Sequence, residues 1–379
     1  MRSHTLFSHI VQGSHPHLVP GDDLELIDVT NQSHRFKASD NHETVIRGIS
    51  QSSGLDALIA IHDTTLGPAL GGCRIWPYAN MDDAMEDVLR LSTGMSYKAA
   101  IAGLPLGGGK VVINCDPHKD KTKDLLRALG HFVDQLGGAY TTAEDVGTTV
   151  ADMDIVAETT DHVLGRNSDP SPDTARGVII GMQAALKHCF DNPSLTGITV
   201  AVQGLGKVGM ALCEQLHEAG ADLIVSDLWQ PALQEALDRF GAKIVSPEKI
   251  LRVQADILAP CAMGAVLNEK TIPMLRTPIV AGSANNQLHT DRDGIALHHA
   301  GIVYAPDYVI NSGGLISAYL DMPDAVTDLS LNQRLARIGE RLREVFTLSK
   351  AESIPTNQVA DRVAKNIIDE AKHAHKARG

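Results

Sequence analysis

The stretch ITVAVQGLGKVGMALCEQLHEAGADLIVSD, residues 198–227, constrains this chain more than any other feature. An aliphatic run ends at Gly204, Gly206 and Gly209, a helix-period run follows at once, and a second aliphatic run closes on Asp227. That order predicts strand, glycine turn, helix and strand, the repeating unit of a parallel sheet covered by helices. The first glycine makes the turn, the second lets backbone approach a pyrophosphate, and the third lets helix pack on strand. The helix N-terminus, opened by Lys207 and Val208, presents unpaired N–H groups and its dipole to phosphate oxygens. Asp227 is placed to accept both ribose hydroxyls. A 2′-phosphate there would meet a carboxylate, and the following LWQP supplies no Lys or Arg, so NAD is expected over NADP.

The rest of the chain extends the pattern in both directions. From Gly177 it reads helix, the dinucleotide unit, then the strand-like AKIV, ADILAP, PIVAG and GIVYAPD, which predicts a parallel sheet. Before it, residues 55–162 form another α/β block, with strand-like LDALIAIHD and GKVVINC around a helix that repeats Met81, Met85, Val88, Leu91, Met95 and Ala99. The cluster GRNSDPSPD, residues 165–173, separates the blocks and is expected to be a hinge. A helical tail carries Leu335, Ile338, Leu342, Val345 and Phe346 on one stripe, and another helix starts near Thr356.

Composition excludes several classes of function. With 33 Lys and Arg against 46 Asp and Glu, the formal net charge is -13, so nucleic acid is not an expected partner. No apolar run is long enough to span a membrane, and the first residues lack the apolar core of a secretory signal. Cys73, Cys115, Cys189, Cys213 and Cys261 are scattered without a C-x-x-C pair, which fits reduced thiols in a cytoplasm. The 17 histidines include neighbours such as His298 and His299, but none lies in a zinc framework, and no metal is expected.

Two lysines and an aspartate carry a second signal. Lys98 falls near the end of the Met81 helix, and Lys110 follows the turn PLGGG among Leu104, Leu106 and Val111, where desolvation would favour its neutral amine and so acid–base work. A phosphate-binding loop is not supported, because Leu104 stands where its first glycine belongs and Val111 where Ser or Thr would hold magnesium. Glu144 and Asp145 in TTAEDVGTT close a strand before a helix, a place for either a catalytic carboxylate or an N-cap.

Together, GPALGGCR (67–74), MSYKAA (95–100), LPLGGGK (104–110), TAEDVGT (142–148), QGLGKVG (203–209), APCAMG (259–264), GSANNQL (282–288) and PDYVINSGG (306–314) resemble the glutamate, leucine, phenylalanine and valine dehydrogenases, and most closely the leucine branch. The resemblance implies a two-domain α/β fold. Residues 1–165, with C-terminal helices from about 345 to 379, would form the substrate-binding and oligomerisation domain, and 166–344 a Rossmann NAD-binding domain, with the site in the cleft between them and the region near Pro323 a second hinge. It implies reversible, NAD-dependent oxidative deamination of an L-amino acid to the 2-oxo acid and ammonia, in a homo-oligomer such as a dimer or octamer.

By position, Lys98 would bind the substrate carboxylate, Lys110 would act as acid and base on the water attacking the imine, and Asp145 would handle the amino-group proton. Gly71 and Gly72 would form the backbone strip beside the substrate. Thr174, Cys261, Ala262, Asn285 and Asn311 would join the cofactor site. Leu70, Met95, Leu315 and Ala318 would line an apolar side-chain pocket without a cation for a second carboxylate, so a branched aliphatic substrate is expected over glutamate. Alternatives are an aromatic amino acid, phenylalanine or tryptophan, and a non-catalytic NAD-binding regulator. A 2-hydroxy-acid dehydrogenase would instead pair a His base with an Arg clamp. Roughly the first 50 residues carry no recognisable motif.

Overall fold

The computed structural model describes residues 17–18, 23–38, 41–165, 169–262, 264–322 and 325–378. The chain forms two compact units, one within residues 1–100, 104–168 and 368–379, the other within 101–103 and 169–367. The expected hinge at 165–173 falls partly, and Pro323 wholly, outside the described residues.

The first unit is built on a seven-stranded sheet of β1 (His17–Leu18), β2 (Glu25–Asp28), β3 (Thr44–Ser50), β4 (Leu55–Asp63), β5 (Ala69–Trp76), β6 (Gly107–Asn114) and β7 (Tyr140–Glu144). Its order is β1-β2-β3-β4-β6-β5-β7; only β5 pairs in parallel, with β6 and with β7. The sheet is therefore mixed. Helices cover both faces, which explains the near-continuous apolar run in β4. Ile59 and Ile61 pack with Leu129, Phe132 and Val133 of the helix Lys123–Asp134, whereas Leu58 and Ala60 pack with Met85, Val88 and Leu89 of the helix Met81–Ile101. Strand β3 lies inside the stretch without motifs, and its Val45 and Ile46 belong to these two cores.

The second unit holds a six-stranded sheet of β8 (Thr199–Gln203), β9 (Asp222–Ser226), β10 (Lys243–Ile244), β11 (Ile257–Pro260), β12 (Ile279–Val280) and β13 (Val303–Tyr304). The order β10-β9-β8-β11-β12-β13 is parallel throughout, a doubly wound sheet whose direction of travel reverses between β8 and β11. The helix expected from Gly177 starts earlier, at Ser171, so Thr174 lies in its first turn. The helix Leu331–Glu352 buries Leu335, Ile338, Leu342, Val345 and Phe346, the stripe expected from sequence. It packs within the second unit, and the first unit takes in the tail only from Ile368, later than the expected 345.

Candidate active site

The first unit gathers its candidate residues where β5, β6 and β7 run side by side. Alternation along β5 buries Gly71 and Cys73 and turns Gly72 and Arg74 to the other face. Register then sets Gly72 abreast of Lys110 on β6, between the pairs Leu70 with Gly108 and Cys73 with Val111. One step past the pair Cys73 with Glu144, Asp145 leaves β7 abreast of Arg74. Lys110 Nζ meets Asp145 Oδ2 at 2.6 Å, both side chains largely buried.

Glycine is required at this crossing because backbone and side chains converge. A Cβ on Gly72 would stand 2.8 Å from Asp145 Cβ and 3.3 Å from Lys110 Nζ, and one on Gly71 would fall 1.7 Å from the Gly109 carbonyl oxygen. A Cβ on Gly108 would lie 2.0 Å from Ser96 N, so the helix Met81–Ile101 rests on bare backbone between Met95 and Lys98. Leu70 is buried; Met95 and Lys98 are half-buried. The Tyr140 hydroxyl donates to the Gly71 carbonyl at 2.6 Å, locking the glycine strip to β7.

Asp145 is not an N-cap. Thr149 caps the next helix, Val150–Val156, in a reciprocal box with Asp152, while Asp145 N–H donates to Thr148 Oγ1 at 2.9 Å. Burial raises the proton affinity of Asp145, but Lys110 and Arg74 outweigh it and hold the carboxyl at about 2. Nor is Lys110 an isolated amine among apolar neighbours, as the sequence suggested; this carboxylate is its partner. Arg74 escaped the sequence reading, although it ends the GPALGGCR motif two residues after Gly72, the spacing of one strand face. Its Nε lies 3.3 Å from Asp145 Oδ2, and its Nη1 2.9 Å from Asp87 Oδ2.

The second unit assembles the other group at the C-terminal ends of β8, β9 and β11. Gly204 has φ +98, and a Cβ on it would stand 2.8 Å from Ala262, so the reversal point between β8 and β11 is closed by bare backbone. On Gly209 a Cβ would lie 2.1 Å from the Gly204 carbonyl oxygen, whereas Gly206 faces open space. Gly206 also precedes the helix Lys207–Glu218 without a side-chain cap, leaving a helix N-terminus beside exposed Lys207 and half-buried Val208. Asp227 accepts from Leu205 N–H at 2.6 Å through Oδ2 and from Trp229 N–H at 2.8 Å through Oδ1, tying the acid to the glycine turn.

Half-buried Cys261 and exposed Ala262 follow β11, and Cys261 N–H donates to the Gln203 carbonyl at 2.7 Å. Asn311 Nδ2 donates to Asn285 Oδ1 at 2.7 Å and to the Ser283 carbonyl at 3.1 Å, while its own Oδ1 is buried without a hydrogen-bond partner. Thr174 Oγ1 donates to the Pro170 carbonyl at 2.9 Å and lies against Gly314. Leu315 and Ala318 are half-buried on the helix Gly313–Leu320. The open glycine cradle, uncapped helix end and orphaned Asn311 oxygen fit a bound dinucleotide.

Comparison with known proteins gives this arrangement a context. Residues 43–162 match the family model "Glu/Leu/Phe/Val dehydrogenase, dimerisation domain", and residues 167–228 and 232–378 match "Glutamate/Leucine/Phenylalanine/Valine dehydrogenase". The chain is 48% identical over 346 residues to leucine dehydrogenase of Geobacillus stearothermophilus, covering 90% of this chain and 94% of that protein. It is 44% identical over 345 residues to phenylalanine dehydrogenase of Lysinibacillus sphaericus, covering 88% and 90%. The crystal structure of L-tryptophan dehydrogenase from Nostoc punctiforme superposes with a TM-score of 0.78 at 44% identity, over 88% of this chain and 97% of that one.

Proposed function

The chain belongs to the glutamate/leucine/phenylalanine/valine dehydrogenase family of pyridine-nucleotide-dependent amino-acid dehydrogenases, and from that premise we propose that it catalyses reversible, NAD-linked oxidative deamination of a branched-chain, leucine-like L-amino acid. The observation that carries the reading is the buried 2.6 Å pair of Lys110 and Asp145 beside the Gly71–Gly72 strip. The first unit is the substrate-binding and oligomerisation domain, and the second the cofactor domain.

Lys98 holds the substrate carboxylate by charge. Asp145, ionised, accepts a hydrogen bond from the substrate amino group and orients it. When bound to Gly204, Gly206, Lys207, Val208, Gly209, Asp227, Thr174, Cys261, Ala262, Asn285 and Asn311, NAD supplies the acceptor for the hydride leaving the α-carbon. Lys110 takes a proton from the water that attacks the resulting iminium carbon, returns it to the amino nitrogen, and takes up the hydroxyl proton as ammonia departs and the 2-oxo acid forms. Asp227 disfavours a 2′-phosphate by its charge, which supports NAD over NADP.

Leu70, Met95, Leu315 and Ala318 are all apolar, which supports an apolar side chain over glutamate. A second reading, an aromatic substrate, is favoured by the small Ala318 and by the likeness to phenylalanine and tryptophan dehydrogenases. One methylene discriminates by only about 1–3 kcal/mol in such a pocket, so size decides between the readings by rate. The match to a dimerisation domain and the exposed Trp76 and Val146 support a homo-oligomer, a dimer or octamer. Five free cysteines support a cytoplasmic location. No helix among the described residues is long and apolar enough to cross a membrane.

NADH production from a panel of L-amino acids at alkaline pH, with D-leucine and L-glutamate as controls, tests the assignment. Fastest turnover on leucine, valine or isoleucine is expected, and turnover only on phenylalanine or tryptophan would replace the branched-chain reading by the aromatic one. Reduction of 4-methyl-2-oxopentanoate by NADH that proceeds equally well without ammonium would overturn deamination itself.

A further inference from the structure

We propose that Arg74 is a positioning residue for this chemistry, the fixed counter-charge that keeps the Asp145 carboxylate ionised and aimed while the Lys110 amine gains and loses its proton. The proposal rests on the roles given above to Lys110 and Asp145. The Arg74 guanidinium divides its contacts between two carboxylates. Nη1 lies 2.9 Å from Asp87 Oδ2, while Nε lies 3.3 Å from the same Asp145 oxygen that Lys110 contacts at 2.6 Å. An arginine serving only to tie strand β5 to the helix Met81–Ile101 would turn its fork to Asp87 alone.

Asp87 is itself over-determined, accepting from the Tyr78 hydroxyl at 2.7 Å and from Arg90 Nη2 at 2.7 Å. That anchors Arg74 from behind and fixes Nε toward Asp145. Both Arg74 and Asp87 are largely removed from water, so their charges act with little screening.

With Lys110 protonated, Lys110, Asp145, Arg74, Asp87 and Arg90 sum to +1. When Lys110 is neutral, Asp145 loses one partner, and without Arg74 it would lose the second as well, while Asp87 would keep the half-exposed Arg90 and add its negative charge to the cluster. Like charges so placed raise each other's proton affinity, and Asp145 would then compete for the proton that Lys110 must pass between water and ammonia. Burial works against the charge on Arg74 itself, yet Asp145 and Asp87 keep its proton affinity above the ordinary arginine value, so it stays charged throughout. Asp87, by the same pairing and its tyrosine bond, is held below the usual carboxylate range against burial.

The test is the pH profile of kcat for deamination in Arg74→Gln, Arg74→Lys and Asp87→Asn, together with NADH affinity by fluorescence titration. Removing a positive charge beside Lys110 and Asp145 makes both hold protons more tightly. Arg74→Gln is therefore expected to lower kcat about ten-fold or more, with NADH affinity unchanged, and to move the acid limb to higher pH. Arg74→Lys should bring the limb back toward the wild-type position. Asp87→Asn removes a negative charge and should move the limb the opposite way, to lower pH.

A fall in kcat without movement of the limb would reduce Arg74 to a structural tie and overturn the proposal. Should Arg74→Gln not fold, an unmoved or upward-moved limb in Asp87→Asn overturns it equally. Lys110→Ala separates the two levels. Retained turnover in that variant defeats the underlying reading, whereas an inactive Lys110→Ala beside a wild-type-like Arg74→Gln defeats the Arg74 proposal alone.

Discussion

Lys110 Nζ is held by the Asp145 carboxylate and is approached by the bare backbone of Gly72. Lys110→Ala is thus expected to lower kcat by about 10²–10⁴-fold, the usual contribution of a positioned acid–base group. NADH binding should be nearly intact, since the glycine turn lies in the other unit; single-turnover rates with a fluorescence titration check both halves. Asp227 serves two purposes, and its replacement shows both. Asp227→Ala removes the carboxylate that repels a 2′-phosphate and also deprives Leu205 and Trp229 N–H groups of their acceptor. Its kcat/KM with NAD should fall, and the NADP-to-NAD ratio of kcat/KM should rise; an unchanged ratio assigns cofactor choice elsewhere. Residues with a local signature, a glycine before a helix or an acid after a strand, were readable in the sequence. Arg74 and Asp87 were not, because they meet only when β5 and the helix Met81–Ile101 are packed.

Elements were legible where periodicity was long and apolar. The runs for β4, for the helix from Met81 and for the helix from Thr356 begin where the sequence placed them. Strand β5 was harder to see, since ALGGCRIW carries two glycines where side-chain alternation normally shows, and close backbone approach requires them. Strands β10, β12 and β13 are only two residues long, and their parallel pairing is a non-local property. The short helix Val150–Val156 illustrates how a loop near the site is fixed. Thr149 and Asp152 cap it reciprocally, and Lys121 Nζ bonds Asp152 Oδ2 at 2.7 Å and the Gly147 carbonyl at 3.1 Å. Thr149→Ala should cost about 0.5–2 kcal/mol of stability. It should also raise hydrogen exchange in residues 146–152, without changing exchange in the second unit. Uniform exchange across the chain would mean the cap does not hold this loop.

Across the whole molecule, the division into two α/β units was readable from the Gly, Asn, Pro and Ser cluster at 165–173, whereas the mixed pairing of the first sheet was not, because strand direction leaves no local trace. Stability against pH is also a property of the whole chain, and opposing groups set it. Asp145, Asp87 and Asp63 are held low against burial, so their stabilisation is complete above the ordinary carboxylate range and is lost as pH falls below it, for Asp145 toward about 2. Asp361 acts in the other direction. Its carboxylate, bonded by the Tyr308 hydroxyl at 2.8 Å, is pushed up to about 6 by burial and by the charges of Asp291 and Asp307, against the pull of that bond. The folded chain then holds this proton more tightly than the unfolded one, so ionisation penalises the fold. The penalty is absent below about pH 4, where both states are protonated, grows between pH 4 and 6, and reaches about 3 kcal/mol above that window. Asp361→Asn retains an oxygen to accept from Tyr308 and removes the charge. Its thermal unfolding temperature should exceed that of the wild type at pH 8, with the gap closing as pH is lowered to 4. A gap of the same size at both values would trace the gain to packing instead of to the carboxylate charge.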